Sequence, residues 1–440
     1  MRHVHRNQLP LVRQQASFTL LMSLLAPHRR RWLILALIFA AFALNYFDRQ
    51  IVSILKPTLK SEFQIDDRGY AFLINVFQGC YAAMYPVAGW IVDCFGARSI
   101  MLLGIVGWSL ACLGAGFTRT LGQLTAFRGM LGLAEPLAFP AQLRVVAIWF
   151  PGALRATANS CCVAGTSIGA ITAPPLVAWL TLKFGWHTAF AIPAIIGLGI
   201  AAMWWLIYRD PPSDIAQAAA ADTPAQGTKF TWPQLWRTRS LWGILLCRFI
   251  SDPVWYFCLF WLPGYLQEQS GLTLQQIGMV GWIPFLAADL SAVGTAAWSD
   301  RLVRGGQSPL RARKIMLTTA ACLAPICALT PHLPRVAITL IIFSIVGAVC
   351  LSWLFSMSVV IAETFPQGNV GSVLGIAGGC GAVGGMIFNH YLGIMIGSIG
   401  AAKMFALMAL LHPLAALVLW TMVRREKPNL PLATSNLQPA

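Results

Sequence analysis

The sequence predicts an all-α membrane protein in which twelve transmembrane helices form two six-helix halves. Three observations support this prediction. The chain is 57% hydrophobic and only 10% charged, whereas soluble domains are about a quarter charged. Its apolar residues gather into twelve segments whose lengths approach or exceed the ~20 residues that a membrane helix needs. A polar stretch at residues 209–239 separates the first six segments from the last six and is interpreted as a cytoplasmic linker.

The first half is predicted to cover residues 32–208. It follows a basic stretch at residues 1–31, which has no segment long enough to span a membrane and is interpreted as a cytoplasmic tail. We place its six spans at about Leu33–Leu55, Tyr70–Val92, Ser99–Phe117, Leu121–Phe150, a fifth segment around Gly165–Pro175, and Trp186–Tyr208.

The second half is predicted to cover residues 240–424 and to repeat this rhythm. Two halves with equal numbers of spans are typical of a transporter built from internal repeats. Residues 425–440 are expected to form another cytoplasmic tail. We place the six spans of this half at about Leu241–Leu266, Ile277–Ser299, Ile315–Thr330, Val336–Ala362, Val370–Ile396 and Ala402–Val423.

The basic residues predict the orientation of the chain. The formal net charge is +16, but lysines and arginines lie mainly between the apolar segments. Runs such as His28–Arg31 before the first span and Arg424-Arg425 after the twelfth place both termini in the cytoplasm by the positive-inside rule. The sequence contains no clustered basic stripe or motif of the kind that binds nucleic acid, so we expect no such partner.

Four charged residues inside predicted spans are the main candidates for a functional site. Asp48 and Arg49 belong to the first span, within residues 45–50, and Arg128 and Glu135 belong to the fourth. A charge at membrane depth costs at least ~2.5–3.5 kcal/mol, and residues that bear one usually serve a function and face a hydrated interior. Arg128 and Glu135 are seven positions apart, which puts them on one helix face. We favour a shared pocket over the alternative, a buried ion pair that only fixes helix packing.

Polar and aromatic side chains in other spans are candidates for substrate binding. Aromatic rings suit the apolar face of a sugar, although interfacial aromatic belts are a common alternative. Polar groups in late spans can equally serve as interhelical contacts, worth about 0.6 kcal/mol on average. With Arg49 and Arg128, the candidates for substrate binding are Tyr46, Gln78, Tyr81, Trp255, Tyr256, Trp353 and Asn389. Asp289 in the eighth span has no evident partner, and the sequence leaves open whether it lines a cavity or caps a broken helix.

Charged residues near the ends of spans are candidates for conformational or gating roles. Two lie at the loop between the second and third spans, and two occupy the corresponding place after the eighth span. This correspondence supports two related halves. Another two are four positions apart on one face of the seventh span, where we place them near its cytoplasmic end. These residues are Asp93, Arg98, Asp300, Arg301, Arg248 and Asp252.

Nothing in the sequence predicts an enzyme or a cofactor. The eleven cysteines contain no C-x-x-C pair of the metal-binding type, and no nucleophile–base motif is found. The glycines between Gly375 and Gly385 have neither the preceding strand nor the following lysine of a phosphate-binding loop. We therefore expect no catalytic residue, no metal and no cofactor.

Several motifs together resemble one family. The loop at residues 89–98 is similar to the Gly-x-x-x-Asp-x-x-Gly-x-Arg signature of the major facilitator superfamily, with Cys94 where a basic residue is usual. With the further stretches, the chain resembles the anion:cation symporter branch, and most of all its bacterial hexuronate transporters. The resemblance extends from about Trp32 to Arg424. The further matching stretches are residues 45–50, 128–135, 149–151 and 248–263.

The resemblance implies a major facilitator fold of two pseudo-symmetric six-helix bundles. It also implies a proton-coupled symporter that imports a hexuronate or a related sugar acid across the bacterial inner membrane. In the related transporters the acids matching Asp48 and Glu135 couple to protons, and the arginine matching Arg49 is associated with the substrate carboxylate. The arginine matching Arg128 interacts with an acid in the resting state. We expect a monomer whose partners are an organic anion, protons and the lipid bilayer.

Two other transport functions stay open at this point. One is symport of a different organic anion, such as an aldonate, a tartrate or an aromatic carboxylate. The other is proton-coupled drug export, which the glycines and prolines between Gly165 and Pro175 in the fifth span support only loosely.

Overall fold

The predicted all-α membrane architecture is confirmed by the structure, a computed structural model that describes residues 27–212, 230–333, 335–398 and 400–425. These residues form no β-strand and include twelve helices long and apolar enough to cross a membrane. Residues 1–26 and 426–440 of the predicted tails, and residues 213–229 of the predicted linker, lie outside the described residues. Residues 27–31, predicted as part of the first tail, belong instead to the first helix, Pro27–Ile54.

All twelve predicted spans are present, six in each half. The spans of the first half are Arg29–Ile54, Asp67–Phe95, Ala97–Ala115, Leu121–Trp149, Gly152–Phe184 and Trp186–Ile207. The spans of the second half are Arg239–Phe260, Leu274–Arg304, Pro309–His332, Val336–Thr364, Gly368–Met395 and Ala402–Met422. Below, the terminal side is the side on which the first span begins and the twelfth ends, and the distal side is the opposite one.

The fourth and seventh spans are interrupted close to the site, and the eighth and ninth spans also break, after Val280 and after Ala321. Pro136 has no N–H to donate, and the fourth span tightens there into the 3-10 turn Glu135–Leu137. The seventh span ends at Phe260, and the short helix Leu262–Glu268 continues it on the distal side. The seventh span, predicted to extend to about Leu266, therefore ends six residues earlier in the structure.

The loop predicted between the eighth and ninth spans is shorter in the structure. The eighth span extends to Arg304, so Asp300 and Arg301 lie in its last turns. The ninth span begins at Pro309, whereas the sequence predicts a start at Ile315. The predicted start is late because the first turns of this helix carry basic residues, which hydropathy assigns to a loop. One of these, Lys314, is buried and donates to the carbonyl of Val423 at 2.6 Å.

Glycines permit the tight turns on the terminal side. Gly96, between the second and third spans, has φ +81°, and Gly306, between the eighth and ninth, has φ +92°. Such a backbone conformation is strained for any residue with a Cβ atom. The two turns occupy corresponding places in the two halves, as the sequence comparison of the halves predicts.

The two halves touch on the distal side and separate on the terminal side. The eleventh span packs on the second at Gly393, where an added Cβ would lie 2.6 Å from the Cβ of Ala71. Gly375 is 18 positions earlier, which is about five turns and hence the same helix face. A Cβ added at Gly375 would meet nothing within 4 Å. The space between the halves therefore widens toward the terminal side.

Candidate functional site

A cavity of about 350 Å³ lies between the two halves. Its lining comes from the first, second, fourth and fifth spans and from the seventh, eighth, tenth and eleventh. The same ordinal positions of each half contribute, which is the geometry of an internal repeat around a central site. The volume lies at the lower end of the ~300–1,000 Å³ typical of ligand sites, so the cavity suits one small molecule.

An ion pair between the first and fourth spans lies in the wall of this cavity. The Nε of Arg49 donates to the Oε2 of Glu135 at 2.6 Å, and both residues line the cavity. The guanidinium carbon lies 4.7 Å from the ring centroids of Tyr46 and Tyr81. Aromatic faces attract cations through their quadrupoles. Arg49 is thus held by two aromatic rings and one carboxylate.

The local sequence of the fourth span explains how Glu135 reaches this position. Gly132, one turn earlier, allows the fourth span to approach the second, because an added Cβ would overlap the carbonyl of Phe77. At Pro136 the helix then tightens into the 3-10 turn that begins at Glu135. The span therefore presents the carboxylate to the first span at a break in its own backbone.

The other two predicted charges, Asp48 and Arg128, lie behind the cavity wall. Asp48 is buried and accepts a weak hydrogen bond from the thiol of Cys112 in the third span, at 3.5 Å. Arg128 is 1% exposed and its guanidinium carbon lies 4.5 Å from the centroid of the Phe77 ring. The structure therefore divides the four charges into a pair that lines the cavity and two residues hidden from it.

Arg128 and Glu135 both retain unused hydrogen-bonding capacity. Among the described residues, the three guanidinium nitrogens of Arg128 have no hydrogen-bond partner, and the Oε1 of Glu135 has none either. A buried charge without such partners is costly. Both residues are therefore suited to exchange partners when the helices move relative to one another.

The second half contributes a second cation to the cavity. Arg248 lines it and lies 3.0 Å from the Oδ2 of Asp252, one turn further along the seventh span. Arg248 is nine residues, or about 14 Å, into its helix, so the pair lies deeper than the cytoplasmic end where we placed it. Trp255 and Tyr256 line the cavity from the same helix. The structure thus places Arg248 in the cavity wall. The sequence had indicated a gating role for this residue and no place in the cavity.

Asp289, whose role the sequence left open, lines the cavity from the eighth span. Its Oδ1 accepts a hydrogen bond from the hydroxyl of Ser167 in the fifth span at 2.8 Å. The contact joins the two halves across the cavity. Of the two possibilities that the sequence left, lining a cavity is the one that the structure shows.

Besides Arg128, three substrate-binding candidates lie outside the cavity lining. The amide of Asn389 donates to the Oε1 of Gln78 at 2.5 Å and accepts from the Nε1 of Trp261 at 3.0 Å. These buried hydrogen bonds join the eleventh span to the second span and to Trp261, which lies between the seventh span and the helix Leu262–Glu268. Trp353 donates to the carbonyl of Leu317 inside the second half. In this conformation these residues connect helices.

The gating candidates on the terminal side pair within one half. Asp93 accepts from Arg144 at 2.7 Å, and Asp300 accepts from Arg313 at 2.8 Å. Both partners lie on neighbouring spans, and neither could be identified from the loop sequence. No ion pair among the described residues joins the two halves on this side.

The two remaining gating candidates do not join these pairs in the described part of the chain. Arg98 donates to the carbonyl of Trp205 at 3.3 Å, and its guanidinium carbon lies 5.1 Å from the ring of that residue. Arg301 is exposed at the end of the eighth span. Arg98 therefore ties the third span to the sixth.

Four charged residues that the sequence analysis did not select close the distal side. The Nζ of Lys56 lies 2.8 Å from Asp67 and 2.6 Å from Glu268, and the Nζ of Lys60 lies 3.0 Å from each carboxylate. Burial lowers the pKa of Lys60, but hydrogen bonds to the two carboxylates outweigh it and raise this pKa. Glu268 belongs to the second half and the other three residues to the first. We call these four residues the distal cluster, and they hold the two halves together.

Comparisons with known proteins agree with this architecture. A helical membrane protein whose two six-span halves enclose a charged cavity belongs, by fold and site, to the class of membrane transporters. The family model of the Major Facilitator Superfamily matches residues 37–311, and the chain belongs to this family. The resemblance that the sequence motifs predict is therefore confirmed.

The similar proteins include curated transporters and a solved structure. The chain is 30% identical over 423 residues to the "Hexuronate transporter" of Escherichia coli K12, covering 92% of this chain and 96% of that one. It is 32% identical over 275 residues to the "Galacturonate transporter" of Dickeya chrysanthemi, covering 60% of this chain and 79% of that one. The crystal structure of a D-xylose-proton symporter superimposes with a TM-score of 0.74 at 15% identity, covering 89% of this chain and 98% of that one, which shows a shared fold.

Proposed function

We propose that this protein is a proton-coupled symporter that imports a hexuronate or a related sugar acid by alternating access. The observation that carries the proposal is the ion pair of Arg49 and Glu135 in the cavity wall. It places a cation that can bind a carboxylate beside an acid that can take up a proton. Relatives named for hexuronate and galacturonate support the substrate class.

The pair supplies a physical reason for coupling. While Glu135 is ionised, it occupies Arg49 and competes with the carboxylate of an incoming anion. Protonation of Glu135 removes this competitor and leaves the charge of Arg49 for the substrate. A bidentate arginine–carboxylate contact is among the stronger polar interactions in proteins. Substrate and proton therefore bind together, which is the requirement for symport.

The remaining lining fits a sugar acid. With its carboxylate at Arg49, the ring of the substrate would lie among Tyr46, Tyr81, Trp255 and Tyr256, all of which line the same cavity. Aromatic faces pack on the apolar face of a sugar, and tyrosine hydroxyls exchange hydrogen bonds with its oxygens. A cavity of about 350 Å³ admits one such molecule rather than an oligosaccharide.

Asp48 is proposed as a second proton site. Asp48 is buried behind the cavity wall, where the thiol of Cys112 is its hydrogen-bond donor. In the proposed scheme this carboxylate therefore does not touch the substrate. Arg128 lies in the same buried layer with unused donors. A change in the protonation of Asp48 would therefore act on the packing of the first, third and fourth spans.

The arrangement of the halves fits one state of an alternating-access cycle. We propose that the chain crosses the inner membrane with both termini in the cytoplasm, so that the distal cluster faces the outside. The cavity is then closed to the outside by the contacts of Lys56 and Lys60 with Glu268 and widens toward the cytoplasm. Breaking these contacts would let the halves rock and open the cavity to the other side. We propose that a monomer carries out the cycle.

Uptake of labelled galacturonate into proteoliposomes tests the proposal. With an inward proton gradient, wild-type protein should accumulate substrate above its external concentration, and a protonophore should abolish the accumulation. Equal uptake with and without the gradient would reject symport. Competition by aldonates, tartrate and aromatic carboxylates separates the other organic anions, and drug resistance on overexpression would indicate an exporter instead.

A further inference from the structure

Asp289 is a carboxylate in the cavity wall that the coupling scheme does not use. It lines the same cavity as Arg49 but comes from the opposite half of the protein. Among the described residues, no lysine or arginine nitrogen lies within 4 Å of its oxygens. Its one hydrogen bond comes from the neutral hydroxyl of Ser167. In the part of the chain that the structure describes, Asp289 is therefore a carboxylate with no cation beside it.

The other charges of the cavity are matched one to one. Arg49 is paired with Glu135, and Arg248 is paired with Asp252 at 3.0 Å. Once Glu135 takes up a proton, Arg49 is the cation released for a ligand, while the charge of Arg248 stays balanced by Asp252. Of the carboxylates that line the cavity in the described part of the chain, Asp289 is the one with no cation beside it.

We propose that Asp289 selects sugar acids with one carboxylate over those with two. This inference rests on the proposed function, in which Arg49 binds the substrate carboxylate. The second carboxylate of an aldaric acid would meet Asp289, and the charge of Arg248 is already balanced by Asp252. Like charges brought together in a desolvated site repel each other, and such repulsion is a common source of specificity.

The same carboxylate favours the correct substrate. An ionised carboxylate has about four acceptor positions and no donor, and Ser167 occupies one of those of Asp289. Sugar hydroxyls are donors, so the end of a hexuronate that lacks a carboxylate can hydrogen-bond to the remaining positions. Asp289 therefore accepts hydroxyls where it repels a second carboxylate.

The test compares galacturonate with galactarate, which has the same carbon chain and stereochemistry but a carboxylate at each end. Binding to purified protein is measured by tryptophan fluorescence, and uptake is measured in proteoliposomes. The Asp289→Asn variant should bind galactarate on the order of tenfold more tightly, relative to galacturonate, than wild type does. The Asp289→Glu variant keeps the charge and should keep the wild-type preference.

The outcomes separate this inference from the proposed function. If wild type neither binds nor transports galacturonate, the proposed function fails. If wild type transports galacturonate and Asp289→Asn leaves the preference against galactarate unchanged, the inference about Asp289 fails while symport stands. If Asp289→Asn instead loses gradient-driven accumulation but retains both the preference and substrate exchange, Asp289 is a proton site and the selectivity assignment is overturned.

Discussion

Replacing Glu135 by glutamine should make substrate binding independent of pH. In wild type, an anion reaches Arg49 only when Glu135 has taken up a proton, so binding is linked to the uptake of one proton. Linkage then weakens the affinity up to tenfold per pH unit over the range in which Glu135 is ionised. Glu135→Gln keeps the size of the side chain and removes the charge, so Arg49 is free at every pH.

The magnitude follows from the geometry of the pair. The Nε of Arg49 and the Oε2 of Glu135 are 2.6 Å apart, and the two side chains are 10% and 0% exposed. Charges centred about 4 Å apart attract by roughly 4 kcal/mol at an effective dielectric constant of about 20. Since about 1.4 kcal/mol is a factor of ten in affinity, the advantage of the variant at alkaline pH has a ceiling of about 1,000-fold.

The assay is a titration of purified protein with galacturonate between pH 5.5 and 8.5, followed by tryptophan fluorescence. Trp255 lines the cavity and should report binding. Glu62→Gln, which removes an exposed carboxylate from the short helix Lys56–Glu62, is the matched control and should keep the wild-type slope. A Glu135→Gln variant with the same pH slope as wild type would refute the competition between Glu135 and substrate.

Three further predictions concern the other charges and the packing. Asp48→Asn should still bind and exchange substrate but lose most gradient-driven accumulation, and full accumulation in vesicles would remove Asp48 from the coupling scheme. Glu268→Gln removes the carboxylate that joins Lys56 to the second half. This substitution should shift the equilibrium toward the state open on the distal side by about 1–3 kcal/mol. The shift is measured as faster chemical labelling of a cysteine placed at the distal end of the cavity. Unchanged labelling would show that the distal cluster does not hold the halves together. Gly169→Ala adds a Cβ that overlaps the carbonyl of Ala43 and should cost about 1–3 kcal/mol, measured as a lower melting temperature in detergent. Gly199→Ala, where a Cβ meets nothing within 4 Å, is its control, and equal melting temperatures would contradict the packing.

The helix positions of the site residues could be predicted only in part. Arg49 and Glu135 face the cavity, as the sequence indicates. Asp48 is adjacent to Arg49 and therefore points about 100° away from it around the helix, which is why it contacts Cys112 instead. Helical spacing could have separated the two first-span charges in advance. Helical spacing could not show that the guanidinium of Arg128 would find no hydrogen-bond acceptor among the described residues. That outcome depends on how far the fourth span lies from its neighbours.

Residues that sequence reasoning treated as substrate contacts were assigned by their chemistry alone. Gln78 and Asn389 have the right groups for a sugar hydroxyl, but in this structure they hydrogen-bond to one another. The two are 311 positions apart, and no local pattern records such a contact. For Arg248 the local contact could be predicted, because Arg248 and Asp252 are four positions apart on one helix face. The sequence did not show that Arg248 also lines the cavity.

The sequence by itself determined the number of spans, their grouping into two halves and the presence of charges at membrane depth. These features depend on hydropathy and on single side chains, which are local properties of the chain. The tertiary structure alone decided which charges share the cavity, which are hidden, and how the distal cluster joins Lys56 to Glu268 across 212 positions of sequence. The reason is that a buried charge is stabilised by whatever packing brings within a few ångströms, and helix rotation and separation set those distances.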